Sequence, residues 1–419
     1  MSTAPAAARP RVVVVGGGFA GLAAVRELSR DDVDVLLLDR NPYTTFQPLL
    51  YQVATGGLNP GDVTFALRAY SGRYRNVRFR RTAVTGLDTA GRQVLCADGT
   101  RERYDALVLS PGVTANFFGV PGAEQNARTI YSRREAIGVR DAVLANLELF
   151  AQGRPEAKEP VTVVVGGGPT GVEMAGALAE LRNAALPVAY PEVDPARARV
   201  VLVEMTDSLL APFVPRLQRY TARELRRRGV ELRLGTAVEE VRPDGVRLSD
   251  GEELACAATV WATGVTVADD VRDWGLPQGR GGRILVEPDL RVVGHDRVFA
   301  VGDAAAPADG EPPPQLAQPA IQEGRHAAEQ IRRLLAGAAT EPFSYRDRGI
   351  MATIGRTAAV VQLPWGPRFG GFVAWIAWVV LHIVKLIGNR NRLATMTNLS
   401  VRYLAWPGSL NVIVGDPPD

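Results

Sequence analysis

Short apolar runs, rich in valine and leucine, recur along the first three hundred positions and are separated by polar or glycine-bearing stretches. They predict strands over 12–15, 33–38, 77–79, 93–96 and 105–109, and a second block over 161–165, 199–203 and 230–234. The strands alternate with segments of helical spacing, so an α/β architecture with mostly parallel sheets is expected. A further strand is predicted over 297–303, and a helix over 316–336 with Pro319 in its first turn, where a missing N–H is tolerated. The Pro-heavy run 307–315 (PADGEPPPQ) reads as an exposed loop, and 152–160 (QGRPEAKEP) as a connection between domains.

At 419 residues the chain is long enough for two or three domains. Hydrophobic residues make up 46% and charged residues 22%, which excludes a disordered or fibrous chain. The net charge is +3, and all basic residues except Lys158 and Lys385 are arginine. No dense basic run interleaved with aromatics is present, so no nucleic-acid partner is expected. Cys96 and Cys256 cannot build a disulfide framework or a Cys-rich metal site, and both read as inert core residues. The chain reads as cytosolic, with no metal. Residues 1–10 read as a loose tail. Arg9, Arg11 and the apolar stretch from Val12 to Val25 imitate a leader, but cleavage there would destroy a motif that argues otherwise.

That motif is RVVVVGGGFAGLAAVREL, which sets Gly16, Gly18 and Gly21 in G-x-G-x-x-G after a strand and at the start of a helix. The first glycine allows the tight turn, the second lets backbone approach a pyrophosphate, and the third lets helix and strand pack closely. The helix start offers free N–H groups to phosphate. Asp39 closes the next strand, where a carboxylate can bond a ribose hydroxyl. The pattern recurs with Gly166, Gly168 and Gly171 in VTVVVGGGPTGVEMAGALAEL, and Glu204 is its acid after an insertion at 187–198. Met-Thr-Asp-Ser follows Glu204, with no arginine to take a 2′-phosphate, which favours NADH over NADPH. Two fingerprints imply two nucleotides, most economically a flavin and a nicotinamide.

WATGV (Trp261 to Val265) closes the second block, and VFAVGDAA (Phe299 to Ala306) follows. Asp303 in Gly302-Asp303 either bonds the ribityl or pyrophosphate part of FAD or simply caps a strand end. From Arg11 to about Ala336 this order resembles the two-dinucleotide-binding-domain flavoproteins, in which an FAD domain is interrupted by an NAD domain. No cysteine lies between Met1 and Leu95, which excludes the redox-cysteine chemistry of the disulfide reductases and disfavours a sulfide oxidiser.

The stretch RNPYTTFQPLLYQVATGGLNPGD, with AQPAIQEGRHAA (Ala317 to Ala328) and GIMATIGRTAAVV (Gly349 to Val361), resembles the type II NADH dehydrogenases, the non-pumping NADH:quinone oxidoreductases. Departures stand at 42–45, where a histidine-bearing stretch is expected, and after Pro407. The resemblance implies that Gly16, Gly18, Phe19, Gly21, Asp39, Arg40, Gln47, Gly302, Asp303, Ala317 and Gln318 hold FAD. It assigns NADH to Gly166, Gly168, Gly171, Glu173, Glu204, Thr263 and Gly264. Gln318 and Gln322, four apart on one helix face, would stand where quinone (menaquinone or ubiquinone) arrives. Glu173 would reach the nicotinamide–flavin junction; by position alone it could as well be an acid in the first turn complementing the helix dipole. Phe46, Gln47 and Pro48 would shape the flavin pocket, and His326 reads as structural.

Four of the six tryptophans, Trp365, Trp375, Trp378 and Trp406, fall near the C-terminus. Residues 369–388 are apolar except for His382 and Lys385. Trp375, Trp378, His382 and Lys385 share one helix face, which suits a helix lying at headgroup level with its opposite face in acyl chains. Arg390, Arg392 and Arg402 follow, as an anionic surface favours. A dimer-contact helix and a true span are the alternatives.

The expected architecture is a tail at 1–10, an FAD domain over 11–155 and 276–337, an NAD domain over 156–275, and a helical membrane-anchoring region over 338–419, contacting the membrane through 369–406. The resemblance implies a homodimer, peripheral and monotopic on the cytoplasmic face of the cell membrane. Two other functions compete: a soluble NADH-dependent reductase serving a small protein carrier, and an NAD-binding redox-sensing regulator.

Overall fold

A computed structural model describes residues 9–401; Arg402, Trp406, the ends of the expected tail and membrane segment, and the departure after Pro407 lie outside them. Seven helices of ten residues or more are present among these residues: α1 (Phe19–Leu28), α2 (Arg133–Ala151), α3 (Pro169–Glu180), α4 (Pro215–Arg227), α5 (Ala317–Leu335), α6 (Phe372–Lys385) and α7 (Asn389–Ser400). The chain divides into two compact units. The first takes the chain up to Thr44, Phe65–Thr114 and Val265–Asp347, and the second takes Thr45–Thr64, Ala115–Gly264 and the chain from Arg348 on. The segment 152–160 lies inside the second unit, where the Asn146 side chain clamps the backbone of Lys158 from both sides.

The first unit is built on a five-stranded parallel sheet. Its order is Val298–Ala300, Ala106–Leu109, Arg11–Val15, Asp34–Asp39 and Val77–Arg81. The central strands are covered on both faces, which is why they read as unbroken apolar runs: Val12, Val13 and Val14 have no exposed surface. Helices α1 and α5 pack against each other so closely that a Cβ on Gly324 would stand 2.1 Å from the carbonyl oxygen of Ala20. The strand expected over 297–303 stops at Ala300. Gly302 adopts φ +75°, open to glycine, and starts a single 3-10 turn.

The second unit repeats this plan. A five-stranded parallel sheet runs Ala127–Arg128, Ala258–Trp261, Thr162–Val165, Val200–Glu204 and Val230–Leu234, with the glycine-loop strand again third in order. Both sheets are Rossmann-like, as expected. The C-terminal region is not purely helical, however. Ile350–Thr353, Ala359–Gln362 and Arg368–Gly371 form a three-stranded antiparallel sheet ahead of α6. Its first turn carries Gly355 at φ +94° and Thr357 at φ +67°, reversing the chain within a match that would otherwise read as one apolar run.

The same sheet shortens the expected helix over 369–388. Residues Phe369–Gly371 complete a strand, and Gly371 (φ +95°) and Gly388 (φ +90°) bracket α6. Fourteen residues rise about 21 Å, short of the ~30 Å of a hydrocarbon core. No helix among the described residues is long and apolar enough to cross a membrane.

Candidate functional site

The first glycine loop shows why each glycine is needed. Gly16 holds φ +99°, and a Cβ on Gly21 would stand 1.9 Å from the Gly16 carbonyl oxygen, so helix and loop touch backbone to backbone. A Cβ on Gly18 would meet nothing within 4 Å, so the loop is open on the side from which a pyrophosphate would approach. Phe19 is the first residue of α1. The Gly17 N–H donates to Asp39 Oδ2 at 2.7 Å and the Asn41 N–H to Oδ1 at 2.7 Å, which fixes the carboxylate beside the loop. Burial raises the Asp39 pKa against these two donors. Arg40 is exposed and lies 3.8 Å from Asp270.

The second loop has the same geometry. Gly166 holds φ +110°, a Cβ on Gly171 would lie 1.8 Å from the Gly166 carbonyl oxygen, and Gly168 faces open space. The Gly167 N–H donates to Glu204 Oε2 at 2.6 Å, while Thr206 donates to Oε1 from both backbone and hydroxyl at 2.8 Å. Despite the insertion before it, Glu204 stands to its loop as Asp39 does to the first. Thr263 and Gly264 form the turn beneath this loop: a Cβ on Gly166 would lie 2.7 Å from Cβ of Thr263, and the Phe118 ring fills the Cβ position of Gly264.

A buried acidic cluster lies behind the first loop, within the first unit. The Gly302 N–H donates to Glu323 Oε2 at 2.5 Å, so α5 fixes the turn that carries Asp303. Desolvation raises the Asp303 pKa to about 6 and that of Glu323 to about 7, with the Asp303 charge adding to the second and Arg283 opposing both. Glu323 was not singled out from the sequence; its signal was a charge among Gly324, Ala327 and Ala328, the small residues of the face that packs on α1.

Ala317 opens α5, and the two glutamines that follow differ. Gln318 is half-buried, with its amide unpaired among the described residues. Gln322 donates to the Arg346 carbonyl and accepts from the Arg346 N–H, both at 3.1 Å, so its amide is committed to backbone. His326 bonds the Glu341 carbonyl at 2.9 Å, a structural tie.

Helix α3 places Glu173 one turn later than expected. The helix begins at Pro169, so its first turn holds no acid and Glu173 lies in the second. The Thr353 N–H donates to Glu173 Oε1 at 3.2 Å, and the Trp378 side chain hydrogen-bonds the same carboxyl. Some of its surface remains accessible, yet desolvation outweighs both bonds and raises its pKa to about 8. It is therefore mostly neutral at pH 7, and a neutral carboxyl does not complement a helix dipole.

Trp378 corrects the reading of α6. It is 3% exposed and Trp375 is also buried, so the aromatic stripe faces protein rather than headgroups. Trp378 meets the Tyr51 ring edge-on at 6.0 Å and stacks on His382 at 3.9 Å; His382 meets Phe46 at 6.1 Å. The His382 Nδ1–H donates to the Trp378 carbonyl at 2.7 Å, and burial lowers its pKa to about 4. Gln47 donates to the Tyr131 carbonyl at 3.1 Å. The opposite face of α6 is the apolar one: Val373, Ile376, Val380 and Val384 are exposed, Val373 at 68%. On α7, Leu393 and Met396 are exposed as well. Asn391 and Asn398 of α7 bond the Thr64 carbonyl and the Asp62 carboxylate at 2.6 and 2.7 Å.

Cys96 and Cys256 are buried and unpaired, and burial raises both thiols.

Comparison with known proteins places this geometry. The profile of the pyridine nucleotide-disulphide oxidoreductases matches residues 10–324, and that of the NDH2 C-terminal domain matches residues 348–405. A type II NADH:quinone oxidoreductase of Mycobacterium tuberculosis is 38% identical over 421 residues, covering 96% of this chain and 90% of the relative. The type II NADH:quinone oxidoreductase of Staphylococcus haemolyticus is 32% identical over 358 residues, covering 83% of this chain and 88% of its own. Among solved structures, NDH2 from Plasmodium falciparum in complex with NADH superposes with a TM-score of 0.88 at 18% identity, covering 96% of this chain and 100% of that one. The sulfide:quinone oxidoreductase of Aquifex aeolicus does so at 0.74 and 19% identity, over 94% and 95% of the two chains.

Proposed function

The chain belongs to the type II NADH:quinone oxidoreductases, and from that premise we propose how its own residues carry the reaction. It is a flavoenzyme that uses NADH to reduce quinone. The observation that carries the assignment of parts is the doubled glycine loop. Each loop has an open middle glycine and a carboxylate fixed by the glycine before it, which fits the pyrophosphate and ribose of a dinucleotide.

FAD is assigned to the first loop through Gly16, Gly18, Gly21 and Asp39, with Asp303 set toward its middle by Glu323. When bound, FAD supplies the two-electron relay, accepting hydride from NADH and passing electrons to quinone. NADH is assigned to the second loop through Gly166, Gly168, Gly171 and Glu204. Glu204 accepts three hydrogen bonds from protein, and no arginine or lysine pairs with it among the described residues, which favours a free 2′-hydroxyl over a 2′-phosphate.

The net reaction takes up one proton for each NADH oxidised. Glu173 is assigned to hold it: its carboxyl is mostly protonated at pH 7, and the Thr353 N–H and Trp378 side chain stabilise the carboxylate left behind. Gln318, whose amide has no partner among the described residues, is assigned to meet the quinone carbonyl. Gln322 is assigned to position the peptide at Arg346. The enzyme attaches to the cytoplasmic face of the membrane as a homodimer, through the exposed apolar face of α6 and α7 and without crossing it.

The test is anaerobic. Stoichiometric NADH is added to the detergent-purified, FAD-loaded enzyme and the flavin band is followed; a short-chain quinone is then added. Bleaching followed by recovery is expected. Bleaching without recovery would move the acceptor to a protein carrier, and slow recovery with every acceptor would favour a regulator.

A further inference from the structure

The second unit carries a charged face that the reaction does not use. On α4, Leu217, Thr221, Glu224 and Leu225 are buried, whereas Arg216, Arg219, Arg223 and Arg226 are exposed. Those four stand at i, i+3, i+7 and i+10 and so form one stripe, about 15 Å long. Like charges at this spacing repel and weaken a helix. None of the four has a carboxylate within salt-bridge distance among the described residues. The one acid of the helix, Glu224, is taken by Arg227 and Arg228, each at 2.8 Å. An arginine-rich composition explains the residue type. It does not explain why acids that pair with Arg199, Arg233 and Arg242 elsewhere in this unit are missing here.

The place of the stripe is an independent observation. The Arg223 guanidinium sits over the Tyr220 ring at 5.3 Å. That ring lies 3.0 Å from where a Cβ on Gly370 would stand, and its hydroxyl 3.7 Å from the same point on Gly371. Gly371 caps α6, and Phe372 and Val373 directly after it open the exposed apolar face. One tyrosine therefore separates an unpaired cationic stripe from an unpartnered apolar one.

We infer that the α4 stripe contacts anionic lipid headgroups. Arginine forks bind phosphate oxygens in pairs, and an anionic surface attracts basic side chains within a Debye length, about 8 Å at physiological salt. The inference rests on the proposed membrane attachment and adds a lipid class to it: α6 enters the acyl region, and α4 selects the headgroups around it.

The test measures partition of the full-length, FAD-loaded enzyme onto vesicles of phosphatidylcholine alone or mixed with phosphatidylglycerol. Wild type should prefer the anionic vesicles by at least about tenfold and lose that preference at high salt. R216Q/R219Q/R223Q/R226Q should bind both vesicles alike, at the wild-type level for the neutral ones, with unchanged turnover of a short-chain quinone. The matching four-lysine variant should keep the preference, which separates charge from damage to the helix. An anionic preference retained by the glutamine variant would overturn the inference. So would an equal loss on neutralising the exposed Arg101, Arg103, Arg134 and Arg154 instead. Wild type binding both vesicles equally would remove the lipid class and leave attachment standing; binding to neither would remove attachment itself.

Discussion

The side chain of Trp378, on α6, hydrogen-bonds the carboxyl of Glu173, on α3. Burial raises the proton affinity of this carboxyl beside the second glycine loop, and the helix that presents the apolar face partly offsets that rise. E173Q removes the proton but keeps the shape. Turnover with quinone should fall about a hundredfold, while anaerobic bleaching of the flavin by NADH changes less than about threefold. Wild-type turnover should decline as pH rises through about 8, and E173Q should lack that limb. W378F, which keeps an aromatic ring but loses the N–H donor, should move the limb upward. Stopped-flow and steady-state pH profiles measure all three, and equal slowing of bleaching and turnover in E173Q would remove Glu173 from the quinone half.

Stability should depend on pH at both ends through two groups of opposite sign. Glu173 holds its proton to about 8 in the fold but ionises near ~4.3 in an unfolded chain. The native state binds more protons in between, so its contribution is complete below ~4.3 and is lost as pH rises toward about 8. His382 is depressed to about 4 against ~6.5 unfolded. Here the unfolded chain binds more protons, and the contribution is complete above ~6.5 and lost as pH falls toward about 4. In thermal melts, E173Q should flatten the alkaline side and H382F the acid side.

The glycines of one loop should fail in different ways. A Cβ on Gly21 meets a carbonyl oxygen at 1.9 Å, so G21A should lower the melting temperature even without nucleotide. A Cβ on Gly18 meets no protein atom, so G18A should fold normally and purify without its yellow colour. G168A should likewise fold, keep FAD and raise KM for NADH at least tenfold. Absorbance of the purified variants, with melting curves, separates these outcomes.

Attachment should follow the exposed valines and spare the buried tryptophans' neighbours. V373E/V380E/V384E places charge on the outward face of α6 and should leave the enzyme in the soluble fraction without detergent. Its turnover of a short-chain quinone should stay within about twofold of wild type, since all three side chains are exposed on the face of α6 opposite Trp378. Flotation assays check the first part, and loss of turnover would mean that the face has another role.

The parts legible from sequence are those whose chemistry is contiguous. Each glycine loop, the strand before it and the helix after it occupy one stretch of chain, so spacing alone carried the turn, the close packing of helix on loop and the acid on the next strand. The face of α6 was a different problem. One face is aromatic with His382 and Lys385 and the other is aliphatic, and periodicity separates the two stripes without saying which is covered; the answer lies in Tyr51, Phe46 and Glu173, hundreds of positions away. Glu323 escaped notice because an acid in a helix normally faces water, and its partner, the Gly302 N–H, is exposed only by the turn that glycine makes. Gln322 carried no mark of its tie to Arg346, because a backbone partner leaves no residue type to recognise.

The near identity of the two glycine loops has a consequence for loading. On the proposed assignment both cradles would grip the half of a dinucleotide that FAD and NADH have in common, for they share the turn, the open glycine and a carboxylate held by the equivalent N–H. Sorting the two molecules must therefore fall to whatever meets the flavin and nicotinamide ends, and free ADP should compete at both doors. An enzyme emptied of flavin would then be open to NADH at the wrong one, so reconstitution should succeed when FAD is supplied before NADH and fail when the order is reversed.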